Sequence, residues 1–293
     1  MSLATLIPLI LKLSIGLSVF AVGLKATFGD ALYLFRRPSQ LLRAFVSMNI
    51  VMPVFALLLD YLFQPNPAVK IALVALSVSP IPPILPRKAL KSGGRENYTI
   101  GLLTASAVIS VVAIPVTMEI VERISGKPLQ MRARDIAWLM LSSVLIPLLL
   151  GMGVRRLWTS FAERAAKPVA IVSLVVLIVA CLPILFTSVR AILILVGDGT
   201  LIALTAFALV GIGVGHVLGG PDLKSRVVLA LATSSRHPAV ALAIGHANFP
   251  NQKLAGALVL VYLVLSAILA APYLNWARRG HSTTATSEKH VEA

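Results

Sequence analysis

The chain has 293 residues, of which 58% are hydrophobic and only 13% charged, with a mean hydropathy of +0.91. A soluble domain carries about a quarter charged residues, so the composition excludes a soluble enzyme, a disordered chain and a collagen-like fibre and implies a polytopic helical membrane protein. Net charge is +15, but the basic residues fill short gaps between apolar runs, a placement that orients membrane loops rather than one that binds nucleic acid. Cys181 is the only cysteine, which excludes a disulfide framework and a cysteine zinc site.

Apolar stretches of the length a helix needs to cross a bilayer core occur at 3–24, 41–63, 68–92, 98–121, 136–157, 168–187, 200–219, 225–248 and 253–276. The expected fold class is therefore all-α, with nine transmembrane helices. Residues 170–180 are apolar almost all round, unlike the two-residue alternation of a β-barrel strand. The first run has no basic leader, carries Lys12 and shows no convincing cleavage site, so it is read as a span rather than a signal peptide. Residues 280–293 are polar and are expected to form a disordered tail. Lys and Arg number 17 after the odd-numbered spans and 7 after the even-numbered ones. That asymmetry predicts an extracytoplasmic N-terminus and a cytoplasmic C-terminus, in a plasma membrane of bacterial inner-membrane type.

The third span carries Pro80, Pro82, Pro83 and Pro86 just ahead of Arg87 and Lys88. Each proline lacks an N–H and clashes with the preceding turn, so an ordinary helix cannot continue. The eighth span carries Thr233-Ser234-Ser235-Arg236-His237-Pro238, a polar run with a charge in mid-membrane. An offset of 155 residues pairs Ala75 with Ala230, Leu76 with Leu231, Ser79 with Ser234 and Pro83 with Pro238. The two spans run in opposite directions, so the chain reads as an inverted repeat of four spans plus five. Broken backbone in hydrocarbon is costly unless it faces protein or a wet cavity. Paired breaks in two halves point to a secondary-transporter site near the midplane. The competing reading, proline kinks without a ligand, is disfavoured by the proline cluster and the intramembrane arginine together.

At these residues the chain resembles the bile acid:sodium symporter family, over about residues 10–278. The resemblance rests on Gly23-Leu24, Met52-Pro53, the broken third span, residues 239–243 (AVALA) and His246-Ala247-Asn248-Phe249. It implies a nine-span variant within one membrane unit, 1–279. A panel of helices 3–24, 136–157 and 168–187 would stand beside a core of 41–121 and 200–276, in which the broken helices cross. Substrate would sit between panel and core and move by alternating access.

The departures from the family pattern are informative. Sodium-coupled members carry Pro-Gly-Gly-Thr-Ala-Ser-Asn at the first break; aligned on Pro80, the ligand Ser and Asn fall on Leu85 and Pro86. At the second break they carry Glu four residues before Gln-Asn; aligned through Phe249, these fall on Ala232, Arg236 and His237. Leu85, Pro86 and Ala232 offer no side-chain oxygen, and Arg236 repels a cation. Two sodium ions with one carboxylate leave one positive charge, and so does Arg236 alone. Compared with the family, then, Arg236 stands in for bound sodium, and no cofactor is expected.

Arg236 must face a partner or a cavity, because a charge at mid-bilayer costs at least about 2.5–3.5 kcal/mol. One option is a salt bridge to Asp60, Glu119, Glu122 or Asp135, all at span ends; the other is an anion, which a guanidinium fork suits. His237 either carries a proton or hydrogen-bonds while neutral. Ser234, Ser235 and Thr233 either contact ligand or satisfy their own backbone, and Pro238 opens a half-helix whose N–H groups favour an anion. Ser79, Pro80, Pro82 and Pro83 form the facing break. Arg87 lines the cavity or snorkels with Lys88 to the interface, and Asn49 bonds across helices. No metal site or nucleotide motif is present. The expected function is sodium-independent secondary transport of a small organic anion. Proton-coupled transport through His237, sodium-coupled transport and a non-transporting sensor remain as alternatives. Substrate, direction and oligomeric state are not fixed by the sequence.

Overall fold

The computed structural model describes residues 3–82, 85–90, 92–125, 132–195 and 199–291, and every element among them is helical. In chain order these are α1 (Leu3–Gly23), α2 (Phe28–Tyr33), α3 (Pro38–Phe45), α4 (Met52–Phe63), α5 (Pro67–Val78), α6 (Leu85–Leu90), α7 (Glu96–Ser125), α8 (Ala133–Met140), α9 (Ile146–Leu157), α10 (Thr159–Leu195), α11 (Thr200–Leu218), α12 (Leu223–Ser234), α13 (Pro238–Asn248) and α14 (Lys253–Val291). Helix occupies each of the nine expected stretches. Seven described segments are long and apolar enough to cross a membrane, while Leu9–Gly23 and Pro67–Val78 are apolar but shorter. The chain is a multi-pass membrane protein.

Local sequence explains the boundaries. Asn66 caps α5 through its side chain, with Pro67 at the first helical position, and Asp222 caps α12 in the same way. Thr27 and Asp30 form a reciprocal capping box on α2. Gln64 ends α4 in the left-handed region at φ 40°. The backbone of 280–291 continues α14 as helix. Propagation from a formed turn gains one hydrogen bond per residue fixed and needs no new nucleus.

Two membrane helices are continuous but wound wide. A π-helical turn over Val46–Val51 joins α3 to α4, and another over Leu141–Leu145 joins α8 to α9. Each stands just ahead of a proline, Pro53 and Pro147. A proline cannot return an N–H to the turn before it and its ring crowds a carbonyl there, so the turn widens.

Glycine sets the tightest helix contacts. A Cβ on Gly151 of α9 would lie 2.5 Å from the Phe20 carbonyl oxygen of α1. One on Gly215 of α11 would lie 2.5 Å from Ala230 Cα of α12. Close backbone approach of this kind is how helices associate where lipid supplies no hydrophobic drive. It leaves α12–α13 enclosed: 89% of its most apolar 18-residue stretch is buried, against 28–56% for the other six long segments. The second broken helix thus stands in protein, not in lipid.

Candidate functional site

The two breaks lie against each other. Helix α5 ends at Val78, Ser79 is extended, and α6 begins at Leu85; α12 ends at Ser234, Ser235 is extended, and α13 begins at Pro238. Helix α5 packs on α13, and α6 packs on α12. The backbone N–H of His237 donates to the Pro80 carbonyl at 2.9 Å, joining break to break.

Arg236 sits in this junction with 3% of its surface exposed. Its Nη1 donates to the Ser79 carbonyl at 3.1 Å and its Nη2 to the Met48 carbonyl at 3.2 Å. Both acceptors are explained by proline. In a continuous helix Ser79 would receive the N–H of residue 83, and Met48, in the π-helical turn, that of residue 53; both are prolines and have none. The chain therefore turns bare carbonyl oxygens to a buried cation. None of the ion pairs found among the described residues includes Arg236. Asp60 pairs with Lys70, Glu119 with Arg123, and Asp135 with Arg134, all at partly exposed positions. The expected alternative of a salt bridge to one of these three acids is thus not what holds the guanidinium. Carbonyl dipoles do so, and Nε is buried without a partner among the described residues.

His237 is equally buried, at 3% exposed. Its Nε2 lies 3.2 Å from Ser18 Oγ of α1, and its Nδ1 has no partner among the described residues. Next to it is a small cavity of about 20 Å³, room for a water but not for an organic anion. Val19 and Val22 of α1, Pro80 and Ile81 of the first break, Leu103 and Ala107 of α7, and Val144 of the second π-helical turn wall it together with His237 and Val240.

Of the residues expected to bind substrate, Pro80 and His237 line this cavity and Arg236 does not. The hydroxyls largely serve their own backbone. Ser234 Oγ donates to the Ala230 carbonyl at 2.9 Å and Ser79 Oγ to that of Leu76 at 2.9 Å. Thr233 Oγ1 pairs with Ser47 Oγ at 2.7 Å, tying α12 to the first π-helical turn. The Pro82 carbonyl accepts from Leu85 N–H at 3.0 Å, starting α6. Pro238 is the first residue of α13, and Asn49 is half-buried in the π-helical turn beside Met48. Pro83 and the Arg87 side chain lie outside the described residues.

Three participants escaped sequence reasoning. Ser18 holds His237, and Ser47 makes the cross-helix bond that was expected of Asn49. Tyr262 of α14 donates its hydroxyl to the Ser234 carbonyl at 2.5 Å, closing the end of α12. A serine or tyrosine in an apolar run carries no signal of its direction; only Ser47, one residue from Met48 and six before Pro53, had a positional hint.

A bundle of apolar helices with two broken segments joined inside it defines a membrane transporter architecture. Over residues 12–195 the chain matches the model of the sodium bile acid symporter family. It belongs to that family, whose members are transporters and not enzymes. The matched stretch holds the first break and ends before Arg236. A search of curated proteins gives no match.

Proposed function

We propose that the chain is a secondary transporter of a small organic anion that works by alternating access and does not use sodium, with the Arg236 guanidinium standing where relatives hold the metal ion. The observation that carries this reading is the pair of bonds from Arg236 to the Ser79 and Met48 carbonyls. Bare backbone oxygens at a helix break are the ligands a sodium ion takes. Here they are occupied by a positive charge that cannot leave. The cavity supports the second part of the reading. Its walls come from α1 and the second π-helical turn on one side, and from the breaks and α7 on the other. Those are the panel and core helices of the family resemblance, and their movement apart would enlarge a space too small for substrate into one that admits it.

The test is uptake of a labelled organic anion into vesicles containing the purified protein, with sodium replaced by potassium or choline on both sides. The expected result is an unchanged rate. Uptake that follows an imposed sodium gradient would overturn the assignment of Arg236.

A further inference from the structure

We infer that His237 and the uncapped start of α13 form an acceptor for an apolar organic anion with a single acidic head, and that each anion binds together with one proton, which His237 takes. This deepens the transport reading and rests on it for the direction of travel and for the opening that enlarges the cavity enough to admit the anion.

The hydrogens can be counted. Ser18 has one hydroxyl hydrogen and gives it to the Ile15 carbonyl at 2.8 Å. Toward His237 it is therefore an acceptor, and Nε2 carries the ring hydrogen. In the neutral ring Nδ1 is then a lone pair, and it is buried with nothing to accept from. A buried acceptor left unmet is unfavourable, so a donor is wanted there.

The neighbouring backbone offers donors. Pro238 has no N–H and no side chain caps α13. The N–H groups of Ala239 and Val240 belong to the first turn, which has no intrahelical carbonyl to bond. Such a terminus favours an anion. Val240 and His237 line the same cavity.

An anion placed there meets the Nδ1 lone pair and is repelled, unless the ring gains a proton or moves its hydrogen from Nε2 to Nδ1, a move that gives up the Nε2–H bond to Ser18. Protonated, Nδ1–H donates to the anion while Nε2–H keeps its bond to Ser18, so no hydrogen bond is broken. Among the described residues that line the cavity, none besides His237 is charged or titratable. Arg236 turns its guanidinium to the Ser79 and Met48 carbonyls. Tyr262, on α14, gives its hydroxyl to Ser234. The cavity faces of α1, α7 and the second π-helical turn present valine, leucine and alanine, and the first break presents Pro80 and Ile81. The proton comes from the solution the anion came from and leaves with it, so the loaded site carries no added charge. Once panel and core part, the apolar walls accept the body of such a ligand, and the described residues among them offer nothing to a second acidic head.

The test is calorimetry on the purified full-length protein in detergent, using benzoate and benzenesulfonate in buffers of different ionisation enthalpy. The slope of apparent binding enthalpy against buffer enthalpy counts protons. Both ligands are expected to bind with uptake of about one proton each. The sulfonate stays ionised, so its proton must sit on the protein. In His237→Gln, which retains a donor for Ser18, the same ligands should bind with no proton uptake. Terephthalate, with two heads, should bind at least about tenfold more weakly, a difference of about 1.4 kcal/mol. Benzenesulfonate binding to the native protein without proton uptake would overturn the inference, as would failure of both single-headed probes to bind or proton uptake surviving in His237→Gln. The native count does not depend on the variant folding, and none of these outcomes bears on sodium independence, which the uptake experiment reads separately.

Discussion

The backbone N–H of His237 donates to the Pro80 carbonyl across 2.9 Å, joining positions 157 residues apart in the chain. Through this bond the break in one half of the protein satisfies the break in the other. Arg236, one residue earlier, does the same with its guanidinium toward Ser79. Neither break is a defect that lipid must tolerate, because each supplies donors or acceptors that the other lacks.

Arg236→Gln removes a fixed charge from the Ser79 and Met48 carbonyls and leaves at least one of them without a donor. The expected loss of stability is about 1–3 kcal/mol. The variant should also gain sodium sensitivity, with a thermal midpoint higher in sodium than in potassium, while the native midpoint is the same in both. Thermal unfolding in detergent under the two salts checks this; a native protein stabilised by sodium would contradict the role given to Arg236.

Pro53→Ala restores an N–H that competes for the carbonyls of the preceding turn, including that of Met48. The π-helical turn at Val46–Val51 should tighten to α-helix and Arg236 should lose an acceptor. Uptake is expected to fall about tenfold, equivalent to about 1.4 kcal/mol in the transport barrier. Slower amide exchange over residues 47–53 would report the regularised helix.

Gly215 and Gly213 stand two residues apart on α11 and predict opposite effects. A Cβ at Gly215 meets Ala230 Cα at 2.5 Å, whereas one at Gly213 meets nothing within 4 Å. Gly215→Ala should destabilise by about 1–3 kcal/mol through overpacking against backbone. Gly213→Ala should be neutral or stabilising by up to about 1 kcal/mol, because alanine is the better helix former. Thermal midpoints of the two variants decide it.

Ser18→Ala deletes the acceptor for His237 Nε2 and with it the only side-chain hydrogen bond of that ring found among the described residues. The contact joins α1 to the second break, so its loss should free the two to separate. In a Cys181→Ser background, a cysteine at Ala107, which is buried on the cavity wall, should label more than about tenfold faster with a water-soluble thiol reagent when Ser18→Ala is added, as about 1.4 kcal/mol of opening free energy requires. An unchanged labelling rate would show that Ser18 does not restrain opening.

The amino-acid sequence by itself determined the helical membrane class, the positions of the spans and the two breaks. These follow from local chemistry: apolar length, proline without an N–H, and a charge where hydrocarbon should be. It also identified Arg236 and His237 as the unusual residues. What only the tertiary structure decided is what each one faces. Arg236 turns to carbonyls freed by prolines in two other helices, and not to a carboxylate or to the cavity; His237 takes the cavity wall and reaches Ser18. The π-helical turns before Pro53 and Pro147, the hydroxyls of Ser18 and Tyr262, and the glycine contacts were invisible along the chain. A hydrogen bond or a close approach between distant helices depends on how those helices are rotated and set against one another, and periodicity within a uniformly apolar span carries almost no information about rotation.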